Sequence, residues 1–350
     1  MKTLSDELAA VLRDHRALVV IVLAYAVATV ALTWNLDLKV DAKIVFIGFF
    51  GSVLAGPIMA LCGYSIYIML YIRPTRLTLY LFRSVRSYMT PARLLHALPV
   101  LVLFPVFASS FTLFKGAIPM LHPFSWDRRL SALDSTLHGG VQPWQWLLQW
   151  IHSPVLTAAL NGAYHLWFFI MFALLYWLAF TMDRPRLRHQ FLLSFVLSWI
   201  LLGTVLATLL SSVGPCFYGG VVDGSNPYQP LLGYLHESDR HIKVLALDVQ
   251  ELLWSEYQDK SGLASIGISA MPSMHVATSV LMALTGWQIN RAAGIALSAF
   301  AAVIMVGSVH LGWHYAVDGY VGAAGAAAIW LAVGRYLGRR DDGRPREGRP

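Results

Sequence analysis

The stretch His310-Leu-Gly-Trp-His314-Tyr-Ala-Val-Asp318 lies where two apolar runs, 292–311 and 314–337, meet. Each run is long enough to cross a hydrocarbon core, which needs roughly 20 apolar residues. A second stretch, Ser269-Ala-Met-Pro-Ser-Met-His275, opens a third run at 273–290. Together they put two histidines and a carboxylate at the water-facing ends of membrane helices. Ionisable groups are costly there and usually functional.

Composition supports the same class. Of 350 residues, 57% are hydrophobic and 13% charged, and mean hydropathy is +0.58; a soluble domain carries about a quarter charged residues. The chain reads as an all-α integral membrane protein, a polytopic bundle of about eight transmembrane helices. The predicted spans are 17–36, 44–72, 95–115, 155–181, 190–212, 273–290, 292–311 and 314–337. Arg13 and Arg16 precede the first span as in a signal peptide, but no small-residue cleavage site comes after it, which favours a retained helix. Gly56-Pro57 predicts a kink in the second, tolerable within a bundle.

The positive charges orient the chain. One set of alternate loops carries Arg13, Arg16, Arg73, Arg76, Arg83, Arg86, Arg93, Arg184, Arg186, Arg188 and the arginines from Arg335 onward. The other carries fewer, among them Lys115, Arg128, Arg129, Arg240, Lys243 and Lys260. By the positive-inside rule both termini are expected to be cytoplasmic and His275 and His314 to share the opposite face. The Ala- and Arg-rich composition points to a bacterial inner membrane and a periplasm-facing site. The net charge of +7 sits in short juxtamembrane loops, which fits contact with anionic lipid rather than nucleic acid; no obligate protein partner is evident.

Three regions are expected. Residues 1–94 hold the N-terminal helices and a basic cytoplasmic loop. Residues 95–338 form the catalytic membrane core with two long outer loops. Residues 339–350 are a basic tail with no apolar residue, expected to be disordered. Cys62 falls mid-span and Cys216 in an outer loop, so they are read as unpaired. The first outer loop, from about Lys115 to Pro154, has Leu130, Leu133 and Leu137 at helical spacing and a cluster of Trp144, Trp146 and Trp150. That pattern fits a helix lying in the interface, either a structural collar or a wall guiding a headgroup. The second opens with Ser212-Val-Gly-Pro-Cys216, a turn whose Gly214 and Pro215 let backbone N–H groups approach a ligand.

His314 and Asp318, four apart, share a helix face. A carboxylate there can accept the imidazole Nδ1–H, leave the Nε2 lone pair free and stabilise charge developing on the ring. Such a histidine is an activated nucleophile. His275, from another helix, can protonate a leaving alkoxide. Pro272 and Ser273 stand at a helix N-terminus, a place suited to phosphate.

Met271-Pro-Ser-Met-His275 and His314-Tyr-Ala-Val-Asp318 resemble the second and third motifs of the type 2 phosphatidic acid phosphatase superfamily. The match is most similar to the branch containing fungal inositol phosphorylceramide synthase, over roughly residues 211–325. The resemblance implies a core of about six helices, His314 as the nucleophile forming a phosphohistidine, Asp318 orienting it, His275 as acid/base and Ser273 helping to hold the phosphate. It implies no metal or other cofactor, and as partners a phospholipid donor and a lipid alcohol acceptor. The superfamily's first-motif lysine and Arg-Pro are absent, with Gly214-Pro215-Cys216 roughly in their place, and Ser308 stands where the third motif usually has arginine. Arg128, Arg129, Arg240, Lys243, Lys260 or a protonated His310 are the substitutes open to the phosphate.

Three functions remain: a lipid phosphotransferase, a lipid phosphatase with water as acceptor, and a metal-dependent enzyme or ion transporter using His310, His314 and Asp318 as ligands. Gly312 and Trp313 argue against the last, because they break the helix on which those ligands would stack.

Overall fold

A computed structural model describes residues 4–38, 54, 56–258 and 267–342, and every regular element among them is helical. Helix α1 (Leu4–Asp14) leads into α2 (Arg16–Asn35). Helix α3 (Gly56–Tyr67) continues in wider turns to Ile72 and then bends by 118° into α4 (Leu77–Tyr88). Next come α5 (Pro91–Leu121), the short α6 (Asp127–Leu137) and α7 (Pro143–Trp150), and α8 (Pro154–Phe180). Helix α9 (Pro185–Ile200) runs on in wide turns to Leu209. Two surface helices, α10 (Gln229–His241) and α11 (Leu245–Gln258), precede α12 (Met274–Ile289), α13 (Arg291–His310) and α14 (Ala316–Asp342).

Local signals explain the boundaries. Proline occupies the first turn of α5, α8 and α9, where its missing N–H costs nothing. Side chains of Thr90, Ser153, Ser273 and Asn290 accept the first free N–H groups of α5, α8, α12 and α13. Asn290 ends α12 and starts α13, so the two form a tight antiparallel hairpin. Large apolar side chains such as Val20, Val27, Val30, Leu166, Phe169, Leu201 and Leu331 point outward, as the lipid-facing surface of a bundle requires.

Six of these helices are long and apolar enough to cross a membrane, or seven if the bent α3–α4 pair is one span. The sequence pattern predicts about eight. The 44–72 span begins among residues outside the described set and ends in the bent pair, which places a helix (α4) in the expected basic loop. The 273–290 span is only 16 residues of helix, about 24 Å at the usual rise. Helix α12 is the central post of the bundle, packed on α8, α9 and α14 and antiparallel to α13, whose length suffices to cross a membrane. Its buried positions include Val276, Ala277, Thr278, Ser279, Leu281 and Met282, which lie all around the helix. The expected loop at Lys115 is also helix: α5 extends to Leu121, so Lys115 lies within it. Helix α14 runs to Asp342, past the 338 boundary, and the rest of the tail, 343–350, lies outside the described residues.

Candidate active site

Helix α13 ends at His310, and the chain turns back before α14 starts at Ala316. The Ser308 carbonyl accepts the N–H of both Trp313 and His314, at 3.0 and 3.1 Å. His314 is thus held in a turn rather than on a helix, with only 7% of its surface exposed. Its Nδ1 lies 2.8 Å from the Ala270 carbonyl oxygen and 3.4 Å from Asp318 Oδ2. Both neighbours can only accept, so Nδ1 carries the proton and Nε2 keeps its lone pair. Asp318 is fully buried, and its Oδ2 also accepts the Tyr315 N–H at 3.0 Å.

His275 opens α12. Its ring stacks on Tyr164 at 4.3 Å between centroids and lies 4.2 Å from Trp167, both on α8. The His275 and His314 rings are 6.3 Å apart. Both line a cavity of about 320 Å³ whose other walls include Phe111, Lys115, Trp199, Val249 and Leu253.

Helix α6 braces this site with two buried carboxylates. Asp127 accepts the Val213 and Gly214 N–H groups (3.0 and 2.9 Å) and the Tyr315 hydroxyl (2.8 Å). Asp134 accepts the Ala316 and Val317 N–H groups at 2.8 and 2.9 Å, capping the helix that carries Asp318. Burial pushes both carboxyls above their ordinary values, against the pull of these hydrogen bonds. The expected helix is present: Asp127, Leu130, Ser131 and Asp134 are buried, while Leu133 and Leu137 are exposed. Gly214 passes so close to the turn that a Cβ would meet the Trp313 carbonyl oxygen at 2.5 Å, and its φ of +87° also favours glycine.

The residues singled out in the sequence divide by position. His275, His314 and Pro272 line the cavity, and Asp318 supports His314 from behind. Ser273 is fully buried; its hydroxyl caps the Val276 N–H and its own N–H donates to the Asp318 carbonyl at 3.0 Å. Gly214 and Pro215 lie outside the lining, the Gly214 N–H being taken by Asp127. Ser308 shapes the turn, its hydroxyl donating to the Met305 carbonyl. His310 points away, with Nε2 2.9 Å from Thr157 Oγ1. His310, His314 and Asp318 do not converge, and among the described residues no three His, Cys, Asp or Glu side chains are grouped to hold a metal ion.

Among the described residues, the substitute cations named from sequence do not line the cavity either. Arg128 donates to the Asp223 carbonyl, Arg129 lies over Trp126, Arg240 pairs with Glu237, and Lys243 pairs with Asp239 and Asp248. Lys260 lies outside the described residues. Sequence reasoning missed Lys115, Asp127 and Asp134. A lone lysine in an apolar run, and two aspartates seven apart on an interfacial helix, were the available signals.

Fold and site together define a polytopic helical membrane protein with a buried and a half-buried histidine facing one largely apolar cavity. The sequence model described as PAP2 superfamily matches residues 128–332, more than half of the chain, and the chain belongs to that superfamily. Membership supports a lipid-phosphate enzyme of the phosphatase or phosphotransferase type. Neither the curated proteins nor the solved structures gave a match.

Proposed function

We propose that this protein is a lipid phosphotransferase that moves a phospho-headgroup from a phospholipid to a lipid alcohol through a phosphohistidine on His314. The observation that carries the reading is the fixed tautomer of His314, its Nδ1–H committed to Ala270 and Asp318, in one cavity with His275. In the first step Nε2 attacks phosphorus. The P–N bond forms as the bond to the lipid alkoxide breaks, and His275 gives that alkoxide its proton. In the second, the acceptor hydroxyl loses its proton to His275 and attacks phosphorus. The P–N bond breaks, and both histidines return to their starting state. Asp318 offsets the positive charge on the His314 ring.

A ring separation of 6.3 Å lets one phosphoryl group contact both imidazoles. The N-terminus of α12 opens on the same space through Pro272, where a helix end favours an anion. The apolar walls favour an alcohol with a lipid tail over water as acceptor, and the loss of the superfamily's usual cations favours a phosphodiester headgroup over a doubly charged monoester. These features suit a branch similar to inositol phosphorylceramide synthase, with both termini cytoplasmic and the site on the periplasmic side of a bacterial inner membrane. Phosphatase action, with water as acceptor, shares every step but the last.

The deciding experiment tracks headgroup release from labelled phospholipid with and without ceramide or diacylglycerol. Transfer predicts label accumulating in a new lipid only when the alcohol is present. Free phosphorylated headgroup, formed at the same rate without any alcohol, would replace this reading with the phosphatase one.

A further inference from the structure

Helix α5 lies before the region matched by the superfamily, yet it delivers one side chain to the cavity that stands out chemically. Among the described residues lining that cavity, Lys115 is the sole lysine or arginine. Phe111, one turn earlier on α5, lines it too, as do Trp199 and Phe168 from neighbouring helices. No carboxylate among the described residues comes within ion-pair distance of Lys115; the ion pairs found all lie elsewhere. An ammonium group with apolar neighbours and no counter-ion among the described residues is costly to keep. In a membrane protein such a residue marks a place where a charged partner arrives.

The backbone at Lys115 is tied to the catalytic segment. At Gly267 a Cβ would meet the Lys115 carbonyl carbon and oxygen at 2.6 Å, and Gly267 has φ of +79°. From that contact the chain runs through Ala270, which accepts the His314 Nδ1–H, to His275 at the head of α12. The lysine, the nucleophile and the acid/base therefore share one cavity and one packed segment. The flexible four-carbon stem can lie along the aromatic wall while the ammonium reaches inward.

We infer that the ε-ammonium of Lys115 holds the phosphate of the substrate against His314, as a binding residue supplied from outside the region matched by the superfamily. The inference rests on the proposed phosphotransfer at His314 and adds the cation that site otherwise lacks. Lysine suits the task as a compact point charge with three donors, able to track a phosphoryl group as it moves from lipid oxygen to histidine.

Full-length protein in detergent tests this with inorganic phosphate and a short-chain phosphodiester lipid, each used both as a stabilising ligand in thermal unfolding and as a competitor of turnover. Losing one charge-assisted contact should raise the apparent Kd for phosphate and the KM for the lipid by about 10- to 100-fold in Lys115→Gln. Lys115→Arg should recover most of that loss, and Lys115→Met, which keeps the stem, should match Lys115→Gln. Unliganded Lys115→Gln and Lys115→Met should unfold at or above the wild-type temperature, because a half-buried charge has been removed.

Equal phosphate affinity and KM in folded wild type and Lys115→Gln would overturn the inference while leaving phosphotransfer standing. So would an active wild type that neither phosphate nor the short-chain lipid stabilises, or a lipid that stabilises wild type and Lys115→Gln alike. A wild type that neither binds phosphate nor turns over any phospholipid would remove the phosphotransfer reading, and this inference with it. Stabilisation by the lipid but not by phosphate, abolished in Lys115→Gln, would support the lysine and assign it to the headgroup ester.

Discussion

His314 donates its Nδ1–H to the backbone carbonyl of Ala270 at 2.8 Å, while the Asp318 carboxylate stands at 3.4 Å. His314 is thus oriented mainly by the segment that leads to His275. Asp318 is left with a mainly electrostatic part, offsetting charge on the ring.

This division sets the expected cost of Asp318→Asn. Where a carboxylate alone fixes the histidine tautomer, its amide costs about 10⁴ in kcat. Here Ala270 still fixes it, and the asparagine oxygen can keep the Tyr315 N–H. The expected loss is about 10²-fold in kcat, with KM and melting temperature little changed. A loss as large as that of His314→Ala would mean that Asp318, not Ala270, sets the tautomer.

His275→Ala should lower kcat by about 10²–10⁴, the usual worth of a positioned acid/base. An aryl phosphodiester whose nitrophenolate leaves without a proton should recover much of the first step. If that substrate is slowed as much as the natural lipid, His275 does not protonate the leaving group.

Gly214→Ala puts a methyl group 2.5 Å from the Trp313 carbonyl oxygen at a φ of +87°. The expected result is about 1–3 kcal/mol of destabilisation and a loss of activity beyond it, because Trp313 directly precedes His314, the proposed nucleophile. Thermal unfolding and initial rates at a temperature where the variant stays folded separate the two. Wild-type behaviour in both would show that the close approach is not maintained.

Asp127 gives a pH dependence. Burial raises its folded-state pKa above the ordinary 3.8. The folded state then holds this proton more tightly than the unfolded one, so its contribution is full below 3.8 and is lost as pH rises through the folded value. Wild type should therefore gain stability, relative to Asp127→Asn, as pH falls from neutrality toward 3.8. A difference in melting temperature between the two that does not vary with pH would contradict this.

Much of the site is legible in sequence because its parts lie in two short motifs. His275, His314 and Asp318 need only spacing and an apolar context to be singled out, and the structure brings them together. Depth and direction are harder to read. The 273–290 run is helical as the pattern predicts, but its place at the bundle centre, buried on all sides, cannot be read from an apolar run. Leu130, Leu133 and Leu137 suggest a helix in the interface, and α6 is present with Leu133 and Leu137 exposed. The face actually buried is set by the unpaired N–H groups of the catalytic turns, which Asp127 and Asp134 satisfy. Lys115 reads as a loop residue because its charge ends an apolar window, although α5 continues past it to Leu121.

The most direct test of covalent transfer through His314 is to mix purified protein with headgroup-labelled phospholipid, without acceptor, and quench in alkali, where phosphohistidine survives. Alkali-stable, acid-labile label on the wild-type chain, absent from a folded His314→Ala variant and discharged by adding a lipid alcohol, is the predicted result. Steady turnover by wild type with no label trapped at any time, or label that persists on His314→Ala, would contradict it.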